Sequence, residues 1–235
     1  MTKHLRNTKL AAICSAIVLS FGLSACGVEG LDDGPLITES GYAIDILSLD
    51  GETDLGIEPA PQLEPAEQTT IEFWVQADWT NAPEFDPVIV SSPGEDGVSY
   101  LVAIDRDRDG IIVGGGDTVD TAPFDFTDGK MHHVALIDYG GSTTLLIDDQ
   151  NIAELPLGFS PMESEGLFFG SFNGGEERFT GKIGGFRQWN VAVPANIVRQ
   201  FRLKDVTNHD DPHPDLDHLA VISDFGNDRV VYVTK

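Results

Sequence analysis

From residue 42 onward no apolar stretch in the chain lasts long. Runs at 71–76, 100–104, 111–113, 133–137, 144–147, 167–169 and 182–189 are rich in β-branched and aromatic residues, and Gly, Pro, Asp and Asn separate them. Such residues suit the faces of pleated strands and such punctuation turns the chain, so the pattern predicts many short strands. Asp109-Gly110, Gly140-Gly141 and Gly174-Gly175 fall between runs, where hairpins need residues that tolerate positive φ. One stretch alone reads as helical: between Pro194 and Leu203, Ile197, Val198, Phe201 and Leu203 share roughly one face, and Pro194 suits a first turn. Many strands with one short helix near the C-terminal end predict an all-β fold, a two-sheet antiparallel sandwich. In the run at 133–137 both faces are largely apolar, as for an interior strand. Trp74 and Trp189 lie within runs flanked by apolar residues and read as core packing. There is no internal repeat and no sign of a second domain.

Charge narrows the partners. With 39 acidic and 14 basic residues the net charge is −25. That field repels nucleic acid and anionic lipid and favours cations. The acids are spread along the whole chain, which reads as a solvated surface, with calcium binding by a few carboxylates as the sharper alternative.

Segments in order along the chain carry a family resemblance. Ser48-Leu49-Asp50-Gly51-Glu52-Thr53-Asp54 is similar to an opening F-D-G-x-x-D signature, and Thr69 to Val75 to F-T-I-E-x-W-V. Asp128 to Leu136, followed by Thr144 to Asp148, resembles G-x-W-H-H-V-A … L-x-L-Y-V-D-G, and Phe179 to Asn190 resembles F-x-G-x-I-D-x-V-R-I-W-N. Together they resemble the laminin-G-like, concanavalin A-like lectin/glucanase jelly roll, over roughly residues 40 to 205. The resemblance implies two antiparallel sheets packed face to face over residues 40–235, with ligand or calcium sites on rim loops. The chain departs from the pattern in places. Gly184 and Gly185 stand where relatives usually carry an acid that can contribute to a calcium site, Met131 replaces a tryptophan, and Asp148-Asp149 replaces Asp-Gly.

Candidate calcium ligands are Asp50 and Asp54, which match the opening motif, and Asp105, Asp107 and Asp109, which with Gly110 give D-x-D-x-D-G. That is the first half of an EF-hand-type loop, but Gly116 at its twelfth position offers no carboxylate, and Arg106 and Arg108 offset the charge. A solvated turn at 50–54 and a hairpin closed at Asp109-Gly110 are the competing readings. Between His209 and His218, three imidazoles and four carboxylates are a possible transition-metal cluster or, with Pro212 and Pro214, a stiff surface turn. Trp79, Phe85 and Tyr100 are the loop aromatics expected to touch a ligand.

Related folds include glucanases that place E-x-D-x-x-E on one strand. Glu84-Phe85-Asp86 begins that pattern, but Pro87 follows and Ile89 occupies its last place. No G-x-S-x-G, H-E-x-x-H or phosphate loop occurs, so an enzyme is not expected.

The first 26 residues address location. Lys3, Arg6 and Lys9 precede an uncharged apolar run from Leu10 to Gly22, too short to span a bilayer core, and small residues follow. This is a secretory signal layout. The closing tetrad Leu23-Ser24-Ala25-Cys26 resembles the lipobox of bacterial lipoproteins, which implies removal of residues 1–25 and acylation, palmitate included, on Cys26. Each buried methylene adds about 0.8 kcal/mol of membrane affinity. With Cys14 discarded, Cys26 is the one remaining cysteine, so no intramolecular disulfide is expected, and loss of the three leader bases takes the charge to −28. Residues 26–39 begin Gly-rich and acidic and read as a flexible tether. Gly27 after the cysteine points to the outer membrane of a Gram-negative envelope under the sorting rule known for such lipoproteins. The expectation is a lipid-anchored envelope protein that binds extracellular carbohydrate or protein without catalysis. The alternatives are an envelope-assembly lipoprotein with no small ligand and, remotely, a degenerate glycoside hydrolase.

Overall fold

The computed structural model describes residues 36–37, 42–107 and 110–233. Cys26 and Asp109 lie outside the described residues. Short strands β1 (Leu36–Ile37) and β2 (Ala43–Ile44) form a two-stranded ribbon, so an apolar pair expected in the tether is hydrogen-bonded to the chain that follows it. Next come β3 (Ile46–Asp50), β4 (Leu55–Ile57), β5 (Thr69–Ala77), β6 (Val88–Gly94), β7 (Gly97–Ile104), β8 (Ile111–Gly116) and β9 (Thr118–Ala122). The second half contributes β10 (His132–Asp138), β11 (Thr143–Ile147), β12 (Gln150–Leu155), β13 (Leu167–Phe169) and β14 (Thr180–Trp189). Helix α1 (Ala195–Phe201), β15 (Leu219–Asp224) and β16 (Arg229–Tyr232) complete the chain.

Two antiparallel sheets result. The larger runs β12-β11-β10-β5-β14-β15-β16, and the smaller runs β4-β13-β6-β7-β8-β9. Both edges of one stretch of β14 are occupied, by β5 and by β3. Its C-terminal part then exchanges β3 for β15. The switch falls at a bulge between Gly184 and Arg187, where Gly185 takes φ +56°. Glycine is the residue that reaches this conformation without strain. The expected all-β sandwich with one short helix is what forms.

Strand alternation divides the large sheet's side chains between two cores. Ile71, Phe73, Val75, Val134, Leu136, Ile183 and Phe186 face the smaller sheet and pack with Ile89, Val102, Ile104, Leu167 and Phe169. On the outer face, Ala135, Ile137, Leu146 and Trp189 lie beneath Val193, Val198, Phe201 and Val206 of the α1 region. Trp74 joins Ile44 and Met131 in a third cluster. The two tryptophans are buried as expected, but on the outer face and not between the sheets: Trp189 beneath the cap made by the α1 region, Trp74 beneath Ile44 and Met131. Met131 fills the tryptophan position of the motif as a buried apolar plug.

Burying the outer face brings polar groups with it. Glu72 Oε1 accepts hydrogen bonds from Arg187 Nη1 and Trp189 Nε1, each 3.2 Å away, and Oε2 lies 3.1 Å from His133 Nε2. Arg187 also donates to the carbonyls of Phe201 (3.2 Å) and Lys204 (2.8 Å). The ion pair thereby ties the cap to the sheet through backbone oxygens. Burial works against the Glu72 charge, yet Arg187 and His133 beside it hold the carboxyl well below the usual range.

Candidate functional site

Along β5 the outer-face residues are Thr70, Glu72, Trp74 and Gln76, and the cap covers them only as far as Trp74. Beyond it the face is open. Register sets Gln76 beside Lys182 and Lys182 beside Ser48, a polar row across β5, β14 and β3. With Asp78, Gly129 and Gly181 these line a furrow of about 380 Å³. Asp78 and Ala77 also line a smaller adjoining hollow with Trp79, Asn81, Pro83, Arg178 and Thr180. The Asp78 amide donates to the Thr180 carbonyl at 2.9 Å, so a backbone bond forms the saddle between the two hollows. Gly181 permits this closeness: a Cβ there would stand 2.1 Å from the Gln76 carbonyl oxygen, with φ at +147°.

The furrow's far wall is the 127–130 turn. Asp128 Oδ1 accepts the Lys130 amide at 2.9 Å, Gly129 takes φ +70°, and Gln76 Nε2 donates to the Gly129 carbonyl. Asp78 carries the one carboxylate among the lining residues of the furrow. Hydrogen bonds from the Thr80 side chain and amide lower its pKa, so it is ionised at neutral pH. The arrangement offers a carboxylate, an amide, a hydroxyl and an ammonium on a rigid sheet, with an indole close by.

Of the aromatics expected at a ligand, Trp79 is placed here, half-buried, its indole N–H donating to the Phe126 carbonyl at 3.2 Å. Phe85 is half-buried in the loop after β5 and lines neither hollow. Tyr100 corrects the expectation. It is fully buried in β7, its hydroxyl donating to Gln188 Oε1 at 3.0 Å, because strand alternation turns it into the core rather than onto a loop.

Among the described residues, the aspartates expected to hold calcium do not gather. Asp50 accepts hydrogen bonds from the Glu52 and Thr53 amides at 2.9 Å each and so caps its own turn. Asp54 is ion-paired with Arg178 and accepts the Ser171 hydroxyl at 3.0 Å, so a guanidinium fills the place beside it. Asp105 accepts the Asp107 amide at 2.9 Å, and Asp107 is exposed. Among the described residues no three His, Cys, Asp or Glu groups converge as a metal site. The His209–His218 stretch is likewise no cluster. His213 is buried, stacked 4.2 Å from Trp189 and edge-on to Phe201, its Nδ1 accepting the Asp215 amide at 3.0 Å.

Ser48, Gln76, Asp78 and Lys182 were missed by the sequence reading. Their signal is present in it: Glu72, Trp74, Gln76 and Asp78 alternate on one face of a strand, and the last two carry polar ends beyond the aromatic.

A fold of this kind, two antiparallel sheets with a rim furrow, defines a β-sandwich of lectin-like architecture. The family model described as the concanavalin A-like lectin/glucanases superfamily, laminin G type, matches residues 50–199, well over half of the 235. The chain belongs to that family. No curated protein sequence matches it. Among solved structures, a candidate carbohydrate-binding protein from Bacteroides ovatus superposes with a TM-score of 0.53 at 20% identity, covering 75% of this chain and 52% of the other. This chain thus spans about half the length of that relative. The CBM40 of a Ruminococcus gnavus IT-sialidase gives 0.53 at 14% identity, covering 67% and 95%. Domain 4 of an extracellular arabinanase from Geobacillus stearothermophilus, in complex with arabinotriose, gives 0.50 at 14%, covering 71% and 84%. At these identities the likeness is one of fold.

Proposed function

We propose that this protein is a lipid-anchored envelope protein whose sandwich binds extracellular glycan in the Asp78 furrow without catalysis. The observation that carries the reading is the polar row Ser48–Lys182–Gln76 ending at Asp78, which lies past the part of the outer face that the α1 region caps. Sugar hydroxyls are matched by such convergent polar groups on a rigid floor. The arabinanase domain in complex with arabinotriose, and the Ruminococcus gnavus CBM40, which is also known bound to α2,3-sialyllactose, support the ligand class. Hydrolysis by the usual route needs paired carboxylates flanking the bond, and the furrow's lining supplies one. A glycan array followed by calorimetry, with arabinotriose and sialyllactose as first probes, tests the reading. Saturable binding is expected, weakened about tenfold or more in Asp78→Ala through loss of a charge-assisted hydrogen bond. A blank array, or affinity untouched by Asp78→Ala and Lys182→Ala together, overturns it and leaves an envelope-assembly role.

Anchoring is tested separately. Cys26→Ser is expected to move the protein from the detergent-soluble membrane fraction to the soluble extract, and unchanged membrane association contradicts the lipid. For the cation the proposal is narrower: any calcium this chain takes involves Asp105 and the exposed Asp107, since Asp54 is already paired with the Arg178 guanidinium. Calcium is then expected to raise Tm beyond matched magnesium, and Asp105→Asn/Asp107→Asn to abolish the difference. Equal shifts with both ions reduce the effect to charge screening.

A further inference from the structure

Behind the furrow's far wall stands a histidine that does not line it. His132 begins β10 with its ring buried, edge-on to Phe124 and Phe126 at 4.9 and 5.7 Å between centroids. Both ring nitrogens face carboxylates: Nδ1 is 2.5 Å from Asp148 Oδ2, and Nε2 is 3.0 Å from Asp128 Oδ1. A neutral imidazole has one N–H and one lone pair, and a lone pair set against an ionised carboxylate is repulsive. Only the imidazolium satisfies both contacts.

The surroundings agree. Burial works against the charge, but the hydrogen bonds and charges of Asp148 and Asp128 outweigh it and raise the His132 pKa above its ordinary 6.5. The other charged groups at this spot are Lys130, 3.1 Å from Asp128 Oδ2, and Asp125 on the same loop. On the β11–β12 hairpin the neighbouring Asp149 is taken by Arg202. Strand β5 presents Val75 opposite His132 and no titratable group there.

We propose that His132 is a positioning residue for the furrow: its imidazolium bridges Asp148 on the β11–β12 hairpin to Asp128 in the 127–130 turn and so sets the Gly129 wall. The consequence for ligand binding rests on the glycan reading above, whereas the state of the turn does not. Because the folded pKa is raised, the bridge is complete below the unfolded value near 6.5 and is lost as pH rises through the folded value. The proton that leaves is the Nε2 proton. Nδ1–H stays on Asp148, the shorter contact, and Asp148 is held again by the His133 amide at 2.9 Å. Asp128 is the carboxylate that loses its imidazolium partner; it keeps the Lys130 amide and ammonium, so the turn that offers the Gly129 carbonyl to Gln76 stays closed on itself but is no longer strapped to β10.

Nitrogen-15 and amide-proton NMR of the folded chain without ligand tests this. His132 is expected to carry protons on both nitrogens at pH 6 and to titrate with a midpoint above 6.5. The Lys130 amide and the Gln76 side-chain amide are expected to shift with that same midpoint, while the His133 amide stays put. Asp128→Asn, at a side chain one-third exposed, is expected to remove the coupled shift at Gln76 and to lower the His132 midpoint. A midpoint at or below 6.5, or a Gln76 resonance that ignores it, overturns the proposal. A blank glycan array leaves these readouts intact, and their failure leaves glycan binding intact.

Discussion

Replacing Glu72 with alanine is expected to lower stability by about 3–5 kcal/mol, because it strands a buried cation. Arg187 is 2% exposed, its Nε has no partner among the described residues, and the Phe201 and Lys204 carbonyls do not neutralise its charge. Trp189 Nε1 and His133 lose their acceptor in the same substitution. Urea unfolding measures the loss directly, and Tm is expected to fall on the order of 10 °C. Glu72→Gln keeps the volume and an acceptor for Trp189, so it isolates the charge; it too is expected to cost well over 1 kcal/mol. The sign with pH follows from the depressed carboxyl: its contribution is present above the ordinary carboxylate pKa and is lost as pH falls through the folded value. A loss below 1 kcal/mol in the alanine variant means that the pair does not hold the cap.

Gly184→Asp, which puts an acid at one of the two glycines where the family resemblance implies one, is expected to cost about 3 kcal/mol or more from overpacking and an unpaired buried carboxylate. A Cβ at this position meets Ile46 Cδ1 at 2.5 Å and the Asp45 carbonyl oxygen at 2.9 Å. Ile46 can swing its terminal methyl away, but the Asp45 carbonyl, between β2 and β3, accepts the Gly185 amide at 3.3 Å and is held in place. Next to it, Gly185 holds φ +56° and a Cβ there falls 2.8 Å from Ile44 Cγ2. Denaturation of Gly184→Ala beside Gly184→Asp separates crowding from charge. Wild-type stability in the aspartate variant contradicts the crowding expected at this position.

These positions show what sequence made legible. The run at 133–137, apolar on both faces, read correctly as an interior strand, and β10 lies between β5 and β11. The helix between Pro194 and Leu203 was visible through its spacing and its proline. Strands β6, β9, β12, β15 and β16 were not picked out, since Val88–Gly94 carries Ser91, Ser92 and Pro93, and β9 alternates around small polar residues. Tyr100 misled because an aromatic next to Gly97 and Ser99 resembles a loop residue; only the partner Gln188, supplied from β14, reveals a buried hydroxyl. Asp54 misled in the same way, since Arg178 reaches it from far along the chain. The furrow was invisible for a related reason. It is made by what the cap leaves uncovered, and the reach of the cap is a tertiary fact.

The strand exchange at β14 also fixes when this chain can fold. Its edges are filled by β3 and β5 from the start of the domain and by β15 from its end, so neither half can finish the sheet alone. Pairings so distant in sequence delay the folding transition, typically to milliseconds or seconds. A nascent chain that lacks residues 219–224 cannot complete the sheet at β14. If the chain is exported as proposed above, late closure of the sheet would leave β14 without its last partner until residues 219–224 had crossed.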